Sequence, residues 1–122
     1  MKLGFIGVGN LATAILRGVV AAEEIPADEI VIFDLNIEKI NDLHDELGVK
    51  IQLYSEYIAE NCDYVVVAVK PKDFEAVAKE ISDVAQKNGT VIISTAAGTS
   101  VDTIKSYLGY DAKVIRIMPN IN

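Results

Sequence analysis

Several classes of protein are excluded by what this chain has little of. It carries one cysteine, Cys62, which rules out an internal disulfide and fits a reducing cytosol. It carries one histidine, His44, set among polar residues. With no second His or Cys there is no set of metal ligands and no nucleophile–base pair. His44 reads as a surface or boundary residue, and Cys62, just ahead of an apolar run, as a small buried or boundary one. Basic residues are scarce, 11 Lys and Arg against 18 Asp and Glu, for a net charge of −7. That balance argues against nucleic acid or an anionic membrane as partner. The longest apolar run, Tyr64 to Val69, is far too short to span a bilayer. Met1-Lys2 leads straight into a glycine motif, so no signal peptide is expected. Asp28, Glu29, Asp42, Asp45 and Glu46 read as solvated helix and loop charge, and no isolated acid pair suggests general acid–base work. There is no internal repeat beyond an alternation of strand and helix patterns, and no low-complexity tail.

What is present is a balanced globular composition, 51% hydrophobic and 24% charged over 122 residues, enough for one domain with a real core. The chain is organised around its first stretch, Leu3-Gly4-Phe5-Ile6-Gly7-Val8-Gly9-Asn10-Leu11-Ala12. A short apolar run reads as a strand. Gly7 and Gly9 follow at once, and from Leu11 the apolar positions Leu11, Ala12, Ile15, Leu16, Val19 and Val20 take helical spacing. Strand, glycine turn and helix in this order, with Gly-x-Gly-x-x-Ala, fit the dinucleotide-binding fingerprint. Gly7 lets the backbone turn sharply. Gly9 lets a pyrophosphate approach the main chain, and Ala12 lets the helix pack close to its strand. The helix N-terminus offers free N–H groups and a positive dipole end to the phosphates. A second strand, Glu29 to Phe33, ends at Asp34, which lies 22 residues past Ala12, close to the spacing expected of an acid that binds the ribose.

The rest of the chain keeps alternating. The first helix is expected from Asn10 to Ala22, broken by Pro26. Asn36 caps a second helix carrying Ile37, Ile40, Leu43 and Leu47, closed by Gly48. Val49 to Ile51 is a short third strand, and Ser55 caps a short helix through Asn61. Asp63 to Val69 is the strongest strand signal, an unbroken β-branched run of the kind buried on both faces. Pro71 sits at a helix N1, ahead of a stripe of Phe74, Val77, Ala78, Ile81, Val84 and Ala85 that ends at Asn88-Gly89. Thr90 to Ser94 is strand five. Ser100 caps a helix with Val101, Ile104 and Leu108 inward, stopped by Gly109, and Lys113 to Ile117 is strand six.

This pattern predicts a doubly wound α/β Rossmann fold, residues 1–122 as one dinucleotide-binding domain, with a mainly parallel sheet in the order 3-2-1-4-5-6. Ligands in such sheets bind beyond the carboxyl ends of the strands, at the switch between strands one and four. The expected cofactor set is therefore Gly7, Val8, Gly9, Asn10, Leu11 and Ala12 after strand one, with Asp34 and Asn36 after strand two. Ala68, Val69, Lys70 and Pro71 follow strand four, and Ala96, Ala97 and Gly98 follow strand five. Asp34 has a second reading as a strand-end turn acid, and Lys70 as a solvated lysine. Ser55 reads first as a cap, with an adenine-side contact as its second role. No residue is assigned as catalytic. NADH is favoured over NADPH. A carboxylate at Asp34 accepts from a free 2′-hydroxyl and repels a 2′-phosphate, Leu35, Asn36 and Ile37 supply no positive charge, and Lys39 on the second helix is read as facing solvent.

Four further stretches, Ala68-Val69-Lys70-Pro71, Ser94-Thr95-Ala96-Ala97-Gly98, Val114-Ile115-Arg116-Ile117 and Met118-Pro119-Asn120, follow the glycine motif in this order. With it they resemble pyrroline-5-carboxylate reductase, over essentially the whole chain. That family reduces the cyclic imine of pyrroline-5-carboxylate to proline with NADH or NADPH, the last step of proline biosynthesis. The resemblance implies a cytoplasmic enzyme in which Gly7 to Leu11 hold the pyrophosphate, Val69 and Lys70 lie along the cofactor, and Ala96 to Gly98 lie near the nicotinamide. Met118-Pro119-Asn120 would lead toward the active-site cleft. Two features depart from the family. Its motif usually continues Met-Pro-Asn-Thr-Pro, whereas Ile121 and Asn122 stand here, and its second, all-helical domain is absent. That domain forms the homodimer or higher oligomer and supplies the pocket for the cyclic imine substrate, so no substrate-binding residue carries over. The chain reads as a fragment of such an enzyme or a stand-alone relic. Two alternatives are the cofactor domain of a hydroxyacid- or prephenate-dehydrogenase-like reductase, and a non-catalytic NAD(P)-binding module.

Overall fold

The computed structural model describes residues 2–117; Met118-Pro119-Asn120 of the family motif lie outside them. The strands are β1 (Leu3–Ile6), β2 (Ile30–Phe33), β3 (Lys50–Ile51), β4 (Tyr64–Val67), β5 (Val91–Ser94) and β6 (Val114–Arg116). The helices are α1 (Asn10–Ala22), α2 (Ile37–Leu47), α3 (Ser55–Asn61), α4 (Pro71–Asn88) and α5 (Val101–Leu108), with a 3-10 turn over Ala27–Glu29. All strand pairs are parallel, in the order β3-β2-β1-β4-β5-β6, as the alternation of patterns predicts.

Side-chain alternation along the strands divides the core into two layers. On one face Leu3, Phe5, Ile30, Ile32 and Val66 pack against Ala12 and Leu16 of α1 and Ile40 and Leu43 of α2. On the other, Ile6, Val65, Val67 and Ile92 meet Ile58 of α3, Phe74 and Ile81 of α4 and Ile104 of α5. β4 lies in the middle of this sandwich, which is why Val65, Val66 and Val67 are all buried. The α1–α2 layer stops short of the far edge. Ile115 of β6, in register with Ile93, is 49% exposed.

Most element ends follow local chemistry. Asn36 accepts from the Lys39 N–H, and Ser100 accepts from the Thr103 N–H. Gly48, Gly89 and Gly109 close α2, α4 and α5 in the left-handed conformation. Three expectations need correction. α1 ends at Glu23, itself left-handed with φ 56°, so Pro26 follows the break rather than causing it. The cap of α3 is Tyr54 with no side-chain bond; Ser55 is the first helical residue and is buried. β2 to β6 are shorter than the runs that predict them, by three residues in β4 and by one or two in the others.

Candidate functional site: a glycine turn at the switch point

β1 pairs with β2 on one side and β4 on the other, so the chain leaving β1 and the chain leaving β4 diverge to opposite faces. The Gly7–Gly9 turn lies in that crevice. The Gly7 N–H donates to Phe33 O and the Ala68 N–H donates to Ile6 O, both at 2.8 Å, which carries the sheet ladder one step past the strands. Gly7 has φ +94°, and a Cβ there would stand 2.6 Å from Ala68 O and 2.8 Å from Ala68 C. Both conformation and space demand glycine, and the turn rests on the peptide leaving β4.

Gly9 is different. Its φ of −65° is open to any residue, and an added Cβ meets nothing within 4 Å. Neither strain nor internal packing explains a glycine at this position. The bare main chain faces open space just where α1 begins, and there the N–H groups of Asn10, Leu11 and Ala12 have no acceptor within the helix. α1 has no side-chain cap and no acid in its first turn, so its positive end is not compensated from within. A main chain stripped of side chain, beside free amides and a positive dipole, fits a pyrophosphate.

The residues expected to gather here do so unevenly. Gly9 and Asn10 are exposed and Leu11 is half-buried. Val8 is fully buried in the α1 layer, and its N–H already donates to Asp34 Oδ2 at 2.8 Å. The Val8 carbonyl accepts from Thr13 Oγ1 at 2.9 Å, a contact that no sequence motif signals. Ala12 is buried against the core. Asp34 points to the glycine turn rather than away, and its Oδ1 accepts the Asn36 N–H at 2.9 Å. Leu35 beside it is 87% exposed. After β4, Ala68 and Val69 are half-buried, and exposed Lys70 caps α4 ahead of Pro71. After β5, the Ala96 N–H donates to the buried Ser94 hydroxyl, and Ala97 and Gly98 are exposed. Ser55 is 3% exposed and has almost no surface to offer a ligand. Lys39 does not simply face solvent. It lines a groove of about 260 Å³ between α1 and α2 with Asn10, Thr13 and Asp42, closed by the two-pronged Arg17–Glu46 pair.

His44 is exposed on α2, and its Nδ1 lies 2.6 Å from Val49 O. Cys62 is buried, which pushes its thiol up to about 11. Among the described residues no group of His, Cys, Asp and Glu converges as a metal site, and no helix is long and apolar enough to cross a membrane.

Residues 2–98 match the family described as NADP oxidoreductase, coenzyme F420-dependent. The chain belongs to that family. The resemblance carried by the motifs also holds along the chain's length. Pyrroline-5-carboxylate reductase of Escherichia coli K12 is 35% identical over 119 residues, which is 98% of this chain and 44% of that protein. Among solved structures, a pyrroline-5-carboxylate reductase from Coxiella burnetii superposes with a TM-score of 0.92 at 31% identity, covering 98% of this chain and 44% of that one. The Plasmodium falciparum pyrroline carboxylate reductase, solved with NADP bound, shares the fold with a TM-score of 0.85 at 24% identity, over 98% of this chain and 42% of that one. The chain thus spans less than half the length of the relatives it matches.

Proposed function

We propose that residues 1–122 form the dinucleotide-binding domain of a pyrroline-5-carboxylate reductase, which as a whole enzyme reduces 1-pyrroline-5-carboxylate to proline with NAD(P)H. The observation that carries the binding half of this reading is Gly9, a glycine that neither its own conformation nor the packing around it requires. The identity to pyrroline-5-carboxylate reductases over nearly all of the chain supports the reaction.

The amides of Gly9, Asn10 and Leu11 face the pyrophosphate. Gly7 shapes the turn, while Val8 and Ala12 anchor it by burial. Asp34, with Asn36 behind it, meets the adenosine ribose. Val69 and Lys70 flank the dinucleotide, and Ala96, Ala97 and Gly98 form the loop nearest the nicotinamide. When bound, the dinucleotide supplies a hydride for the imine carbon. The domain's own share is orientation and electrostatics. Groups that bind the substrate carboxylate and exclude water belong to the part of the relatives this chain does not span, as does the surface for homodimers or larger assemblies. A cytoplasmic setting and a small cyclic imine as the partner follow from the same reading, and the acidic surface fits neither nucleic acid nor membrane.

NADH is the better ligand in this proposal. A 2′-phosphate near Asp34 places like charges about 4 Å apart at a half-exposed site, costing roughly 1–4 kcal/mol, or tenfold and more in affinity. Exposed Leu35 offers no compensating cation, and Lys39 is turned into the α1–α2 groove. Fluorescence titration with both cofactors, at low and moderate salt, tests this together with steady-state oxidation of NADH by the imine. The expected result is NADH binding tighter, and no turnover approaching a typical enzyme's roughly 10 per second. Absence of binding by either cofactor removes the reading. Equal or tighter NADPH removes the role given to Asp34.

A further inference from the structure

Asp34 directly follows β2, and one oxygen of its carboxylate is spent on the loop after β1. Oδ2 accepts the N–H of Val8 and Oδ1 accepts that of Asn36. From the other side, Thr13 Oγ1 of α1 donates to the Val8 carbonyl, and the Val8 side chain is sunk in the core. Val8 is therefore gripped at both its main-chain polar groups, the N–H by Asp34 just past β2 and the carbonyl by Thr13 of α1. It stands between Gly7 and Gly9, the two residues with the most backbone freedom to lose. A Gly-Val-Gly segment without these grips samples many shapes, and only some turn the next three amides outward together.

We propose that Asp34 is a positioning residue for the phosphate seat. It pulls the Val8 amide inward and so presents the amides of Gly9, Asn10 and Leu11 to an anion before any ligand arrives. The proposal rests on reading the chain as a dinucleotide binder, and it gives Asp34 a second task besides meeting the ribose. The two tasks are compatible. Each carboxylate oxygen has two lone pairs, and the backbone amides use one on each. They also separate experimentally, because an anion without a ribose makes no ribose contact for Asp34 to meet.

Electrostatics and bracing predict opposite signs. Removing a carboxylate beside an anion seat improves anion binding if charge alone matters, whereas losing the brace weakens it. The test uses the full chain, its Asp34→Ala variant and its Asp34→Asn variant. In the first measurement, amide hydrogen exchange is followed by NMR without ligand. Val8 protection falls roughly tenfold or more in Asp34→Ala, the worth of a hydrogen bond to a charged group. The amides of Ile6 and Val66 keep theirs, showing an intact sheet. In the second, inorganic pyrophosphate is titrated against the Gly9, Asn10 and Leu11 amide shifts. Its apparent dissociation constant rises roughly fivefold as the competent fraction of the turn falls. Asp34→Asn keeps one acceptor oxygen, is intermediate in both measurements, and carries the test should Asp34→Ala not fold. Unchanged Val8 protection, or pyrophosphate bound equally or more tightly by the variants, overturns the proposal. A parent chain that binds neither pyrophosphate nor NADH sinks the proposed function instead, and the exchange measurement still decides whether Asp34 holds the turn.

Discussion

Gly7→Ala and Gly9→Ala are the same chemical change two residues apart, and the structure assigns them opposite outcomes. At Gly9 the backbone has φ −65° and ψ −171°, and the new methyl meets nothing within 4 Å. Alanine is a poorer N-cap than glycine by about 0.5–1 kcal/mol, and a stiffer unfolded chain returns about 0.4–1 kcal/mol. The two nearly cancel, so the melting temperature moves by no more than roughly 4 °C. In the proposed binding mode the methyl lies where the pyrophosphate approaches, so NADH affinity is expected to fall tenfold or more, about 1.4 kcal/mol or beyond. At Gly7 the left-handed φ costs about 1–3 kcal/mol. The methyl lands 2.6 Å from Ala68 O and 3.2 Å from Val69 N, main-chain atoms that cannot rotate aside, for about 1–3 kcal/mol more. The sum, about 2–6 kcal/mol, is a large part of a domain's stability and lowers the melting temperature by roughly 6–36 °C. Thermal unfolding followed by circular dichroism, with NADH titration of each folded variant, measures both. Wild-type NADH affinity in Gly9→Ala would refute the placement of the ligand. A wild-type melting temperature in Gly7→Ala would refute the contact with the peptide leaving β4.

Three further outcomes follow from groups away from the turn. Hydrogen bonding with Glu56 of α3, aided by burial, pushes Glu80 of α4 up to about 7. A proton on Glu80 thus stabilises the fold. That gain is complete below the ordinary glutamate range and is lost as pH rises through about 7, so Glu80→Gln flattens the fall in melting temperature between pH 5 and 8. Cys62, raised to about 11 by burial, reacts slowly with iodoacetamide at neutral pH in the folded chain and quickly in urea, as mass spectrometry reads out. Thr90 Oγ1 is buried and donates to Ala59 O at 2.7 Å, so Thr90→Val costs about 1–3 kcal/mol in urea unfolding.

The parts of this fold that show in the sequence are those governed by neighbours along the chain. α1 shows at its start because a glycine pair precedes it and helical spacing then runs unbroken. The ends of α2, α4 and α5 show because Gly48, Gly89 and Gly109 are left-handed stops. The sheet order follows from handedness once the alternation is recognised. What stays hidden depends on contacts between distant positions. The left-handed Glu23 has no sequence signature, since glycine is the usual occupant. Ser55 looks like a cap by residue type, yet burial against the sheet shifts it one place into the helix. The position of Asp34 shows, but its grip on Val8 spans two strands and needs the register of β1 against β2. The turn of Lys39 toward Asn10 likewise depends on how α2 lies across α1.

The strand order also sets the course of folding. β1 is made first, yet it lies at the centre, with Leu3 paired to Ile30 on one side and to Tyr64 on the other. A nascent chain emerging from the ribosome therefore holds this fully buried strand without a complete set of partners until residue 67 is free of the exit tunnel. Closing contacts so far apart along the chain is slow, and a half-built sheet is where misfolding and chaperone capture compete with assembly. Much of the burden of reaching this structure rests on the interval between the synthesis of the first strand and that of the fourth.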